Sequence, residues 1–346
     1  MDSKKLKKIF ENFVCQGVFS NATALTSGHI NETYIVETSD LFYVLQKLNH
    51  LVFPNIPELM DNKLKIAQHL TKKKGYQLAL LQFYPTKTGP YYLKDEEGSF
   101  WSLMNYIPGS KVLDKTEHKD QAYEAGKAFG HFIAQLDDFD ASELYEIIPN
   151  FHKMSFRYAQ FDEAIKNGGE ERKKEAEVWI QQVLENRDKM HRLEKLYEQG
   201  IIPMRVTHND TKLSNILFDE NDRALAVIDW DTLMPGIVHY DFGDSIRSIC
   251  STTTEDEAEL SKINFDYDFY QSYKVGFLEE LENTLSEKEI ELLPLAAQTI
   301  TFIMGLRFLT DYLNGDAYYK IKYPRHNLVR AANQLTLVKR MEEVFE

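Results

Sequence analysis

The stretch His208-Asn209-Asp210-Thr211-Lys212-Leu213-Ser214-Asn215, followed by Val227-Ile228-Asp229-Trp230-Asp231, is where residue type and spacing first suggest chemistry. A polar loop leaves one strand and presents an Asp, and five residues later an Asn opens the next strand. A second carboxylate closes a third strand. Phosphoryl transfer needs a carboxylate to accept the attacking hydroxyl's proton and hard oxygen ligands for Mg²⁺ on the phosphates of ATP. Asp210 is the candidate base, with Asn215 and Asp229 as the candidate metal ligands. Asp231 is either a further acid of the site or a turn residue. Two other chemistries use similar parts. A hydrolase could pair Asp210 with Asp229 or Asp231 and would need no nucleotide, and a non-catalytic sensor would bind nucleotide or sugar without needing the base.

These residues need strands and helices to hold them. Leu6, Ile9, Phe10 and Phe13 fall at helical spacing, and Thr33–Glu37 and Leu41–Lys47 read as antiparallel strands joined at Thr38-Ser39-Asp40. Pro57 opens a helix through Leu70. Further strands are expected at 78–84, 91–93 and 99–107, and Pro108-Gly109-Ser110 marks a lobe boundary. Beyond it, Ala122, Ala125, Phe129, Phe132, Ile133 and Leu136 form one helical stripe, and 170–198 reads as a single long, half-exposed helix. Short strands at 204–207, 215–218 and 224–228 frame the polar loop, and the chain from Asp241 onward reads as helical.

Composition narrows the classes. The 346 residues carry 40 Lys+Arg against 54 Asp+Glu, a formal charge of −14, which disfavours a phosphate-backbone binder and so any nucleic-acid partner. With 43% hydrophobic and 27% charged residues the chain is globular. The two cysteines, Cys15 and Cys250, are too few for a disulfide framework and suit a reducing, cytoplasmic compartment. No stretch reads as approaching the roughly 20 apolar residues of a membrane span.

His208–Asn215 with Ile228-Asp229 resembles the catalytic core of the kinase-like phosphotransferases that include aminoglycoside and choline kinases. The likeness is closer to N-acetylhexosamine 1-kinases. It is carried by 28–34, 44–49, 208–212, 231–236, 240–247 and 309–316. It implies an α+β, two-lobed protein-kinase-like fold: an N-lobe over 1–107 with an antiparallel sheet and a helix, and a mostly helical C-lobe over 108–346 with an insertion at about 141–200. It implies ATP and Mg²⁺ as cofactors, and transfer to the anomeric hydroxyl of an amino sugar. Position by position, Gly28 would cover the phosphates, and Lys47 would be the strand's phosphate-binding lysine or else a surface lysine. Glu58 would be its ion-pair partner or simply a carboxylate at a helix start. Asn105 and Tyr106 would lie at the hinge that receives adenine, or merely end an edge strand. His29 and Asn31 would reach phosphate or sugar, and Arg307, Asp311 and Tyr318 would meet the sugar, although Arg307 and Asp311 could equally be an i,i+4 surface pair. His208 and Asp241 would support the loop structurally.

Overall fold

The computed structural model describes residues 2–25 and 30–345. Helix α1 (Ser3–Phe10) precedes strands β1 (Phe19–Leu25), β2 (Glu32–Thr38) and β3 (Phe42–Leu48), then helix α2 (Ile56–Thr71), β4 (Leu93–Lys94) and β5 (Phe100–Asn105). The strands make one antiparallel sheet in the order β1-β2-β3-β5-β4. Alternate side chains leave a strand on opposite faces. On β3, Tyr43 and Leu45 pack outward with Leu6, Ile9, Phe10, Trp101 and Leu103, while Val44 and Gln46 face the other way. Lys47 shares the parity of Tyr43 and Leu45.

The expected strand at 78–84 is instead an extended segment with a single bridge, Phe83 to Met104. The Asn105 side chain replaces the missing ladder. It accepts from Gln82 N at 2.7 Å and donates to Leu80 O at 3.1 Å, while Asn105 N donates to Gln82 O at 3.0 Å. Helix α2 is capped by Asn55, whose side chain accepts from Glu58 N. It is tied to the helical part of the chain through buried Asn62, which donates to Leu233 O (2.8 Å) and Tyr145 O (2.9 Å) and accepts from Tyr145 N (2.9 Å).

After β6 (Lys111–Val112) comes α3 (Lys119–Ala134). The expected 170–198 helix is three pieces, preceded by α4 (Met154–Asn167): α5 (Glu170–Glu175), α6 (Glu177–Met190) and α7 (Arg192–Glu198). The breaks fall at Ala176, buried and off helical geometry at φ −95 and ψ 3, and at His191. Strands β7 (Arg205–Thr207), β8 (Ile216–Phe218), β9 (Ala224–Val227) and β10 (Met234–Gly236) frame the polar loop. β6 joins the β8–β9 hairpin, and β10 pairs with β7. Helices α8 (Val238–Ile249), α9 (Tyr267–Leu281), α10 (Glu287–Glu291), α11 (Leu293–Leu313) and α12 (His326–Phe345) complete the chain. Helices α3 and α9 touch backbone to backbone: a Cβ on Gly126 would lie 2.1 Å from Tyr273 O, and one on Gly276 2.2 Å from Tyr123 O.

One expectation is corrected here. α11 is long and apolar enough, by length and composition, to cross a membrane. Most of it is buried, packed among α4, α8 and α12. Its apolar residues belong to the core of a mixed α+β fold, with an antiparallel sheet leading and helices following.

Candidate active site

β7 delivers the chain to the loop, and two features fix its course. Asn209 stands at φ 62, a left-handed conformation that Asn tolerates better than most residues. Its side chain donates to Thr207 Oγ1 (2.8 Å) and Thr232 O (3.0 Å). Beneath it, the buried Asp241 carboxylate accepts from His208 N (2.8 Å) and Asn209 N (2.7 Å). Burial pushes the Asp241 carboxyl up to about 7, against these two donors, which favour its charged form. His208 is buried against Phe129 and Phe132, its Nε2 is 2.8 Å from Ile228 O, and burial lowers its pKa. These contacts brace the loop.

This frame presents Asp210, half-buried, with two donors converging on its Oδ2: Lys212 Nζ and Asn215 Nδ2, each at 2.9 Å. Asn215 Nδ2 also donates to Asp210 O at 2.7 Å, so the Asn215 side-chain oxygen is left available as a metal ligand. Asp229 follows β9 in a left-handed conformation, φ 61. Burial, then Asp231 and Asp210, push its carboxyl up to about 7, outweighing Lys212 and Lys63. This carboxylate and the free amide oxygen beside it are the hard oxygen donors that a dication would take. The donors fit Mg²⁺.

A cavity of about 290 Å³ lies between the sheet and this loop. Thr33, Ile35, Val44 and Gln46 form its roof, Met104–Ile107 its back, and Lys212, Asn215, Ile228 and Asp229 its floor. Asn105 and Tyr106 line it. Lys47 does not: strand parity turns it outward to pair with Glu32 across β2 at 2.9 Å, so the expectation of a phosphate-binding Lys47 is corrected. Glu58 has no part in that pair. Gly28 and His29 lie outside the described residues. Asn31 donates to Asp231 Oδ2 and accepts from Asn49 N at 2.9 Å, so its polar atoms are committed within the protein.

A second cavity, of about 480 Å³, opens where α4 meets the C-terminal end of α11. It adjoins the catalytic loop through Phe151 and His152, because the His152 ring packs on Phe151 and Tyr240 and meets the Asn209 backbone. Arg307 has its guanidinium 5.4 and 5.6 Å from the ring centroids of Phe151 and Tyr319, and among the described residues its one hydrogen-bond partner is Met304 Sδ at 3.6 Å. Arg157, also in the wall, donates to Phe151 O and Gln160 Oε1. Burial and then Arg307 lower its pKa to about 10. Asp311 lines the cavity with its carboxylate already engaged. It is buried and accepts from Tyr318 N (2.8 Å), Tyr319 N (2.9 Å) and Asn327 Nδ2 (2.9 Å), which shapes the loop carrying the two tyrosines. Tyr318 stands exposed at the rim. Nor do Arg307 and Asp311 form the i,i+4 pair allowed by their spacing.

Sequence reasoning passed over Lys212, Phe151, Arg157, Tyr319 and Lys63. Lys212 stood inside the motif itself. Lys63 had a signal too, since Leu59, Lys63, Ile66 and Leu70 share one helical stripe and a cation occupies a core position of it.

A family model of the phosphotransferase enzyme family, APH, matches residues 21–273. Solved structures agree over nearly the full chain. A microcompartment-associated aminopropanol kinase has TM-score 0.64 and 16% identity, covering 99% of this chain and 98% of that one. Spectinomycin phosphotransferase in complex with ADP and spectinomycin has TM-score 0.55 and 12% identity, covering 100% and 95%. An ethanolamine kinase of Plasmodium vivax has TM-score 0.54 and 14% identity, covering 93% and 81%. The chain belongs to the phosphotransferase enzyme family, whose members are kinases that use ATP with Mg²⁺. It is a small-molecule kinase with an alcohol group as acceptor.

Proposed function

We propose that this kinase phosphorylates the anomeric hydroxyl of an N-acetylhexosamine, giving a hexosamine 1-phosphate and ADP. The observation that carries the choice of acceptor is Arg307, a guanidinium with no carboxylate partner among the described residues, near two aromatic rings in the cavity beside the Asp210 loop. A cationic amino alcohol or aminoglycoside calls for free carboxylates or an open aromatic cage. Here the buried carboxylate of the wall, Asp311, is spent on three N–H donors, the other lining carboxylate, Glu163, stands exposed, and two guanidiniums face the space. Planar donors with aromatic platforms suit a neutral sugar carrying an amide and hydroxyls. Segments 1–107 and 108–346 would act as two lobes with the nucleotide between them, α2 of the first being fastened to the second through Asn62.

The chain's own groups divide the work. Asp210 orients the acceptor hydroxyl and takes its proton as the bond to the γ-phosphorus forms. Asn215 and Lys212 hold the carboxylate in place from its Oδ2 side. Lys212 also lines the nucleotide cavity, where its charge would offset that of the phosphoryl in transit. Mg²⁺, held by Asn215 and Asp229, would neutralise the phosphates when bound.

The test is Mg²⁺-dependent ADP release with GlcNAc, GalNAc, glucosamine, ethanolamine and kanamycin supplied separately, and ³¹P NMR of the product. Release with an N-acetylhexosamine alone, falling at least about 100-fold in Asp210→Asn while ADP affinity stays within about threefold, is the expected result. Turnover of ethanolamine or kanamycin would overturn the acceptor, and wild-type turnover by Asp210→Asn would overturn the base.

A further inference from the structure

Cations facing the nucleotide cavity are few among the described residues. The roof strands offer it Thr33, Ile35, Val44 and Gln46, none of them charged. On the floor, Lys212 is engaged by Asp210. The other cation is Lys63, on the face of α2 that closes the cavity's inner end. Its side chain is 1% exposed, and its ammonium pairs with Asp231 and lies 5.6 Å from the centroid of the Phe83 ring. Phe83 and Asp231 line the same cavity.

Two physical points separate this lysine from an ordinary buried ion pair. An ammonium has three N–H donors, and the single carboxylate partner leaves donors to spare at the wall of a cavity rather than inside packed core. A buried pair adds little to stability compared with apolar side chains of similar size, so stability is a weak reason for placing one on an otherwise apolar helical stripe. A polyphosphate, by contrast, needs positive charge on the side away from the acceptor, and β3 supplies none.

We propose that Lys63 binds the phosphates of the nucleotide, and that Asp231 is its positioning residue. The usual division is thereby reversed: the helix carries the cation, the loop after Asp229 carries the carboxylate, and the roof strand presents an uncharged Gln46. Asn31 completes the arrangement by donating to the other oxygen of Asp231. The inference rests on the nucleotide occupying this cavity.

Calorimetric titration of the full chain with ADP and with adenosine, in Mg²⁺ buffer, tests it. Removing Lys63 alone leaves Asp231 buried without its partner, so the informative variant is the double exchange Lys63→Met/Asp231→Asn, checked by its far-UV spectrum and melting temperature. ADP affinity should fall about 10- to 100-fold while that for adenosine changes less than about twofold. Adding Gln46→Lys, which returns a cation from the strand side, should recover part of the ADP affinity and leave adenosine alone. Unchanged ADP affinity in the folded double variant overturns the proposal. So does an equal loss for ADP and adenosine, which would make Lys63 a wall of the cavity and no phosphate ligand. Wild type that binds neither nucleotide nor nucleoside overturns the cavity's assignment itself, a result distinct from either.

Discussion

Replacing Asp241 with Asn keeps the shape of the side chain and removes half of its accepting capacity. In the native loop its two oxygens each take one backbone N–H, from His208 at 2.8 Å and Asn209 at 2.7 Å. An amide can satisfy one of them and must turn its NH₂ toward the other. The variant therefore loses one hydrogen bond to a charged acceptor, about 1.5–3 kcal/mol, and leaves a buried N–H unsatisfied, about 1–3 kcal/mol more. The loss, roughly 2.5–6 kcal/mol, falls on the segment that holds Asn209 left-handed and aims Asp210. Amide hydrogen exchange of the peptide spanning 205–212 measures it directly. Protection should drop at least about 30-fold, and turnover with the best acceptor should fall about 100-fold or more because the base is misplaced. Protection and turnover both within about twofold of wild type, in a protein that binds ADP normally, would refute the idea that Asp241 sets the loop.

Two further outcomes concern stability. Gly126→Ala puts a Cβ 2.1 Å from Tyr273 O and 3.0 Å from Phe277 N, backbone atoms that cannot turn aside. Urea titration should show a loss of about 3 kcal/mol or more, whereas Gly169→Ala, with nothing within 4 Å, should stay within about 0.5 kcal/mol of wild type. His152 is held neutral by burial, its pKa lowered to about 3, beneath its unfolded value. The unfolded chain therefore binds the extra proton, and the stability due to neutral His152 is complete above about pH 6.5 and is lost as pH falls toward 3. The stability gap between wild type and His152→Gln should thus shift by about 1.5 kcal/mol, against wild type, between about pH 6.5 and 5. A gap independent of pH would refute the assignment.

Sequence made the catalytic loop legible because its parts are local. Asp210 follows β7, Asn215 immediately precedes β8 and Asp229 follows β9, so all three sit at the ends of short neighbouring strands. The helix expected from Pro57 to Leu70 appears as Ile56–Thr71 for a similar reason, since its cap and apolar stripe are both in the sequence. What stayed hidden depends on parity and on distant partners. Lys47 and Gln46 differ by one residue, and which of them enters the cavity is set by the side of β3 that α1 covers. Asp311 reads as an available carboxylate until Tyr318, Tyr319 and Asn327 are folded onto it. The segment 78–84 carries strand-like residues, yet a side chain more than 20 positions away meets its polar backbone groups, so propensity had no ladder to act through.

Asn62 gives helix α2 an allegiance that chain order conceals. The helix follows the sheet in sequence, but Asn62 fastens it to Leu233 and Tyr145, on the far side of the nucleotide cavity. Mechanically, α2 is part of the anvil and not of the hammer. A rocking of the five strands over a bound nucleotide would pivot along the 49–55 connection, with α2 at rest. The groups α2 holds against the cavity would then keep their distance to the catalytic loop through every turnover, while the contacts made by the strands open and close.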